Sequence, residues 1–401
     1  MDPKRNARKI LPALVGALFA SLGTTPVLAQ SAPTTQQLMR MIEAQQKQLD
    51  NLKSALNKAQ NQAQAAETKA DSAARSVASI PGLPKNVTIG GGIEVEMTST
   101  ESFADADTSD ITLAKVETFI DAQPFEFLST HVQLIYEDDG TDTISLDEAF
   151  ATLGNPEKYP AYLQAGRWAI PFGGFDTAMS TDPLSKSLGE TAESAVLVGL
   201  TQNGFTVEGY GYNGDTQQTG EGDNIDQWGL SASYEAELTG ATVNIGGGYI
   251  SNIADSGGLT EGLGDNATAL NNYIAGWEIH GTVNYGAFTV YAGYMSANES
   301  FESGELAFNG QGAKPAAWNL EAAYVSEIMG KETTLAATIQ GTEEAFALSY
   351  PETRIGGAVT IQLMDNASVT AEYIHDEDYG TSQGGTGNSG HTATLKVAAE
   401  F

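Results

Sequence analysis

The sequence predicts an all-β transmembrane barrel of about 16 antiparallel strands, preceded by an N-terminal α-helical coiled coil. Three observations carry this. Hydrophobicity alternates with a period of two from Val87 to the C-terminal Phe401. The connections between alternating runs are short and long by turns. A basic, then apolar leader stands at the N-terminus. A strand in lipid must turn apolar side chains outward, and only a closed sheet satisfies its backbone without water.

Residues 1–29 read as a signal peptide. Lys4, Arg5, Arg8 and Lys9 precede the apolar run Ile10–Leu22, and Val27-Leu28-Ala29 supplies a small-residue cleavage site. The run falls short of the roughly 20 residues a spanning helix needs. Gln30 rather than Cys follows Ala29, which argues against a lipoprotein anchor. Beyond a linker at 30–35, residues 36–80 carry a heptad repeat. Positions a fall on Ile42, Leu49, Leu56, Ala63, Ala70 and Val77; positions d fall on Leu38, Gln45, Leu52, Ala59, Ala66, Ala73 and Ile80. Only Gln45 is polar, and a polar core site sets register and oligomer state. The reading is a self-associating periplasmic coiled coil, closed by Pro81-Gly82 and a linker over 81–86.

The barrel occupies 87–401. Its last strand alternates His391, Ala393, Leu395, Val397, Ala399 and Phe401 against Thr392, Thr394, Lys396, Ala398 and Glu400. Comparable runs place strands at 87–97, 110–122, 126–137, 145–154, 161–169, 193–200, 203–212, 225–238, 241–251, 273–285, 287–296, 316–328, 332–340, 354–363, 367–376 and 390–401. The short connections include Gln123-Pro124-Phe125, Gln202-Asn203-Gly204, Thr239-Gly240 and Met329-Gly330-Lys331. The long ones, such as 170–192, 252–272 and 297–315, are polar. Periplasmic turns and extracellular loops produce this asymmetry in an outer-membrane barrel, whereas a soluble sandwich has no cause for it. Tyr136, Trp228, Trp277, Tyr285, Trp318, Tyr324 and Tyr373 have outward parity, as interfacial girdles require.

Net charge is -32, and the acidity is concentrated after residue 85. That balance excludes a nucleic-acid partner, which needs clustered Lys and Arg. The absence of Cys excludes disulfides and thiolate-bound zinc. No nucleophile elbow or His-Glu-x-x-His motif occurs, so neither an enzyme nor a cofactor is expected. The acidic runs around Asp105–Asp110 and Asp138–Asp142 read as solvated loops, or as loops bridged by divalent cations to lipopolysaccharide, and no resident metal is expected.

Inward parity assigns Glu94, Glu96, Lys115, Glu117, Asp121, His131, Glu208, Glu235, Glu237, Glu278, Glu321, Arg354, Glu372 and Lys396 to the pore lining. A net acidic lining favours cations. The segment 170–192 carries Phe, Met and Leu side chains that need a surface to cover, so it is expected to fold inward as a constriction. Phe172, Phe175, Asp176, Asp182, Lys186 and Glu190 are the candidates to face the opening.

The segments LDEAFATLGN (146–155), YLQAGRWAIPFGGFDT (162–177) and SLGETAESAVLVGL (187–200) resemble the LbtU-type siderophore porins of Gram-negative bacteria. The resemblance implies a passive outer-membrane porin for small solutes, a ferric siderophore among them, surrounded by outer-membrane lipids and lipopolysaccharide. The layout also resembles that of general porins, which implies a homotrimer with the third long loop folded inward. Phe401 with its alternating apolar residues resembles the C-terminal signal read by the barrel-assembly machinery. The competing class is a structural tether whose coiled coil links the outer membrane to the periplasm or cell wall. Deleting residues 36–80 is expected to weaken self-association, measured as the mass of intact and truncated chains in mild detergent.

Overall fold

The computed structural model describes residues 86–401 except 104–105, 139–142, 156–157 and 223. The signal peptide and the coiled-coil core of Leu38, Ile42, Gln45, Leu49, Leu52 and Leu56 lie outside the described residues, as do parts of both acidic runs.

The strands are β1 (Val87–Glu101), β2 (Thr108–Phe125), β3 (Leu128–Glu137), β4 (Ile144–Gly154), β5 (Ala161–Ala169), β6 (Ala192–Gln202), β7 (Phe205–Tyr212) and β8 (Gln227–Leu238). There follow β9 (Ala241–Ile250), β10 (Gly276–Tyr285), β11 (Phe288–Ala297), β12 (Ala316–Ile328), β13 (Lys331–Glu343), β14 (Thr353–Met364), β15 (Ala367–Glu377) and β16 (Ser389–Glu400). Each pairs antiparallel with its sequence neighbours, and β1 pairs with β16, so the sheet is a closed barrel. The expected strand count of 16 holds. Closure removes the free edge that hydrocarbon would not tolerate.

The outer wall is apolar. On β6, Val196, Val198 and Leu200 are exposed, while Glu193, Ala195 and Leu197 on the alternate parity are buried. Aromatics collect at two levels. Near the short turns stand Phe205 with Tyr234 and Phe288 with Tyr324; near the loops stand Trp228 with Tyr249 and Trp277 with Tyr294. Those are the positions of the two membrane interfaces.

The turns follow from local chemistry. Asn203 and Gly204 both take positive φ, at 54° and 81°, as do Met329 and Gly330 at 53° and 75°. Two positive φ values give the turn whose twist matches a right-twisted hairpin. One turn differs from expectation. β2 runs on through Pro124 to Phe125, and the chain reverses at Glu126-Phe127 rather than at Gln123-Pro124-Phe125. The register shifts between Ala122 and Phe125, so Pro124 sits in a bulge where its missing N–H costs no ladder bond.

The chain end is paired. The Phe401 amide donates to the Gly91 carbonyl at 3.0 Å, and the Gly91 amide donates to the Phe401 carbonyl at 3.2 Å. A Cβ on Gly91 would lie 2.9 Å from the Phe401 ring and 2.4 Å from the Glu117 carbonyl oxygen. Gly91 is therefore needed for close approach at the seam. Gly91→Val is expected to destabilise closure by about 1–3 kcal/mol, the usual cost of overpacking. The check is a lowered unfolding temperature of the heat-modifiable band on gel electrophoresis.

Candidate functional site

The segment between β5 and β6 enters the barrel. Its base is closed by Ile170 N–H donating to the Thr191 carbonyl at 2.9 Å. Phe172 and Leu188 are then buried in a cluster with Leu197, Tyr210, Ile250, Ile253, Leu259 and Met295. This cluster joins the barrel wall to the segments 170–191, 251–275 and 298–315, the second of which holds the helix α2 (Gly257–Leu263) and outruns the first. Phe172, expected at the opening, is therefore a packing residue at 1 % exposure, and Phe175 is half-buried against the same cluster. The correction has a simple cause. The inward faces of β6, β7 and β9 carry apolar side chains at their loop-side ends, and the phenyl rings cover them.

The segment then crosses to the far wall, where backbone amides meet carboxylates. Thr177 Oγ1 and the Ala178 amide each donate to Glu321 of β12 at 2.6 Å. The Ser180 amide donates to Glu372 of β15 at 2.6 Å, and Thr181 donates to it from its amide at 3.2 Å and from Oγ1 at 2.5 Å. Ser180 Oγ reaches Glu96 at 3.4 Å. The short helix α1 (Leu184–Gly189) is fixed in turn: the Leu184 amide donates to Gln340 at 2.8 Å, and Ser185 Oγ donates to Asn319 at 2.9 Å. Amides removed from bulk water need acceptors, and an ionised acceptor makes the stronger bond.

Three carboxylates assigned to the pore lining are thus spent on structure. Glu321 is 2 % exposed and Glu372 and Glu278 are each 5 % exposed, so none faces open water. Glu278 hydrogen-bonds His280 Nδ1 at 2.9 Å. A Cβ on Gly174 or Gly246 would lie 2.4 Å from the His280 ring, so glycine on both sides lets the segment nest there.

Other lining groups are paired. Lys115 lies 3.9 Å from Glu94 and 3.3 Å from Glu117, and Lys396 contacts Glu94 at 3.2 Å. Arg354 grips Asp376 through two bonds of 2.8 and 3.0 Å. His131 stacks between Phe119 and Phe150, with Asp121 at 2.7 Å and Glu148 at 3.6 Å. Glu208 accepts from Tyr162 at 2.5 Å and Ser231 at 2.8 Å. Glu235 and Glu237 stay exposed, as do Asp176 and Asp182 on the inserted segment. Asp176, Glu235, Asn244, His280 and Tyr291 line a polar recess of about 270 Å³. Lys186 bridges Asp182 at 3.0 Å and Glu190 at 3.6 Å. Burial works to lower the Lys186 pKa, but Glu190 and Asp182 outweigh it and the net direction is up. Burial likewise pushes Glu190 up.

Several contributors escaped the parity reading. Asp376 opposes Arg354 directly across β14 and β15, so register could have found it. Asp255 lies in a loop without periodicity. It accepts from the Thr216 amide at 2.9 Å, Thr216 Oγ1 at 2.6 Å and Asn252 Nδ2 at 2.9 Å, tying the 213–226 segment to 251–275. Burial pushes its carboxyl up to about 6, against the pull of those hydrogen bonds.

Barrel and inserted segment together have the fold of the Gram-negative outer-membrane porins. The anion-selective porin of Comamonas acidovorans matches with a TM-score of 0.53 at 11% identity, over 79% of this chain and 99% of that one. The outer-membrane channel DcaP of Acinetobacter baumannii matches with a TM-score of 0.53 at 12% identity, over 79% and 97%. By sequence the chain is similar to a UPF0422 protein of Legionella pneumophila strain Lens, 27% identical over 361 residues, 80% of this chain and 67% of the relative. A UPF0422 protein of Coxiella burnetii is 28% identical over 333 residues, covering 80% and 70%. No family model matches the chain.

Replacing Glu321 and Glu372 together with Gln exchanges charge-assisted bonds, worth roughly 1.5–3 kcal/mol each, for neutral ones. The inserted segment should loosen. Single-channel conductance in planar bilayers is expected to rise or become noisy, with the barrel still folded.

Proposed function

We propose that the protein is an outer-membrane channel for passive diffusion of small hydrophilic solutes, with a preference for cations. One observation carries the charge preference. Once the pairs and the buried carboxylates are set aside, the exposed acids Asp176, Glu235 and Glu237 remain, while Lys115, Lys396, Arg354 and Lys186 already face carboxylates. An acidic, water-filled passage narrowed by an inserted segment concentrates cations and repels anions. The same fold serves a porin described as anion-selective, so in this class selectivity belongs to side chains rather than to the barrel.

Such a lining opposes a polycarboxylate ferric siderophore, and the solutes proposed are therefore cationic and neutral ones. The unit proposed is a homotrimer held in part by the heptad helix, in an outer membrane of lipid and lipopolysaccharide. Liposome swelling with sugars, amino acids, cations and ferric siderophores tests the solute class directly.

Charge selection has a sharper test. Under a KCl gradient at low salt, the reversal potential should have the cation-selective sign and fade toward 1 M, because the Debye length is about 8 Å at physiological ionic strength and shorter above it. Glu235→Gln with Glu237→Gln should move the potential toward zero, whereas Glu278→Gln, at a buried position, should move it less. An anion-selective wild-type channel would refute the charge preference.

A further inference from the structure

Two of the four histidines lie outside the lumen. His375 of β15 and His391 of β16 are directly opposed in the antiparallel register. They share outward parity with the exposed Tyr373 and Leu395, at the loop-side end of the barrel. Their rings are 4.7 Å apart, and the two Nδ1 atoms are 3.1 Å apart. Tyr373 Oη lies 2.7 Å from the same Nδ1 of His391. The arrangement is over-subscribed as hydrogen bonding. An imidazole nitrogen has either one proton or one lone pair in the ring plane, so His391 Nδ1 cannot satisfy both neighbours at once.

We propose that His375 and His391 form a two-nitrogen chelate for a divalent first-row transition ion, copper(II) before nickel(II) or zinc(II). Two nitrogens each about 2.0–2.1 Å from one ion, at bond angles between square-planar and tetrahedral, stand about 2.8–3.4 Å apart. The observed spacing falls in that interval. The metal takes both lone pairs and removes the competition at His391. Glu377 Oε1 lies 3.7 Å from His375 Nε2, on the side where it favours the tautomer that leaves Nδ1 free. Glu101 of β1 faces His391 in register, and Thr353 of β14 hydrogen-bonds Glu377, so two carboxylates stand beside the pair, while the nearby Arg354 is already taken by Asp376. Among the described residues no three His, Cys, Asp or Glu side chains already converge on a metal-sized site. The protein therefore supplies two nitrogens, and Tyr373 or water completes the shell. Hard ions such as Mg²⁺ and Ca²⁺ prefer oxygen and are not expected to compete.

Calorimetric titration of the folded full chain in detergent with CuCl₂ and NiCl₂ tests the site. The expected result is one site per chain, copper(II) tighter, with binding weakened in acid because protons compete with the metal for a nitrogen ligand. Electron paramagnetic resonance of bound copper should show coupling to two nitrogens. His375→Gln and His391→Gln should each weaken binding at least tenfold and leave heat-modifiable mobility unchanged. His131→Gln with His280→Gln should retain the site. Equal binding by wild type and the His375→Gln/His391→Gln double variant would overturn the proposal. So would loss of binding in the His131→Gln/His280→Gln variant, or displacement by MgCl₂.

Discussion

Every backbone N–H and C=O in hydrocarbon must find a protein partner, and the rest of this structure depends on that constraint. It forces β1 onto β16, and the seam is completed by the terminal residue itself. Phe401 exchanges two hydrogen bonds with Gly91, and the absence of a side chain on Gly91 lets the phenyl ring lie over the join. Alternation along each strand is a second consequence, since a wall with lipid outside and water inside has one apolar face. The same rule governs the segment that enters the barrel. Having left the sheet, its amides are shielded from bulk water, and the wall returns the missing acceptors as Glu321, Glu372 and Gln340.

Charge in the lumen follows a hierarchy that composition alone does not reveal. Some carboxylates are consumed by backbone amides, as at Glu321 and Glu372. Others neutralise a base, as Glu94 does between Lys115 and Lys396, or accept hydroxyl protons, as Glu208 does. Only the remainder faces mobile ions. The large formal excess of acid thus reduces, in the passage, to a few exposed groups on β8 and on the inserted segment.

The strands were legible because their signal is local. The span 161–169 and the span 316–328 coincide with β5 and β12, and fifteen-residue β1 differs from its expected range chiefly by running on to Glu101. Parity also told inside from outside, since a charge on the lipid face is costly. It could not tell which inward positions a loop would cover. Phe172 has the composition of a pore-facing ring but meets apolar wall positions far away in sequence. Glu372 reads like Glu235, yet one is sealed and the other open. At Pro124 the reason is different: a bulge interrupts the alternation of a strand in the same way that a turn does.

The double use of the wall carboxylates has an evolutionary corollary. In a channel whose narrowing segment was held by apolar contacts alone, charge and width could drift separately. Here the glutamates that would be exchanged to alter ionic preference on the far wall are the ones that hold the segment across the passage. Neutralising Glu321 or Glu372 would alter the aperture in the same step as the field. The field can therefore be adjusted through Glu235 and Glu237, on the open side, without touching the anchor, whereas a change on the anchored side also alters the bonds made from Thr177–Thr181.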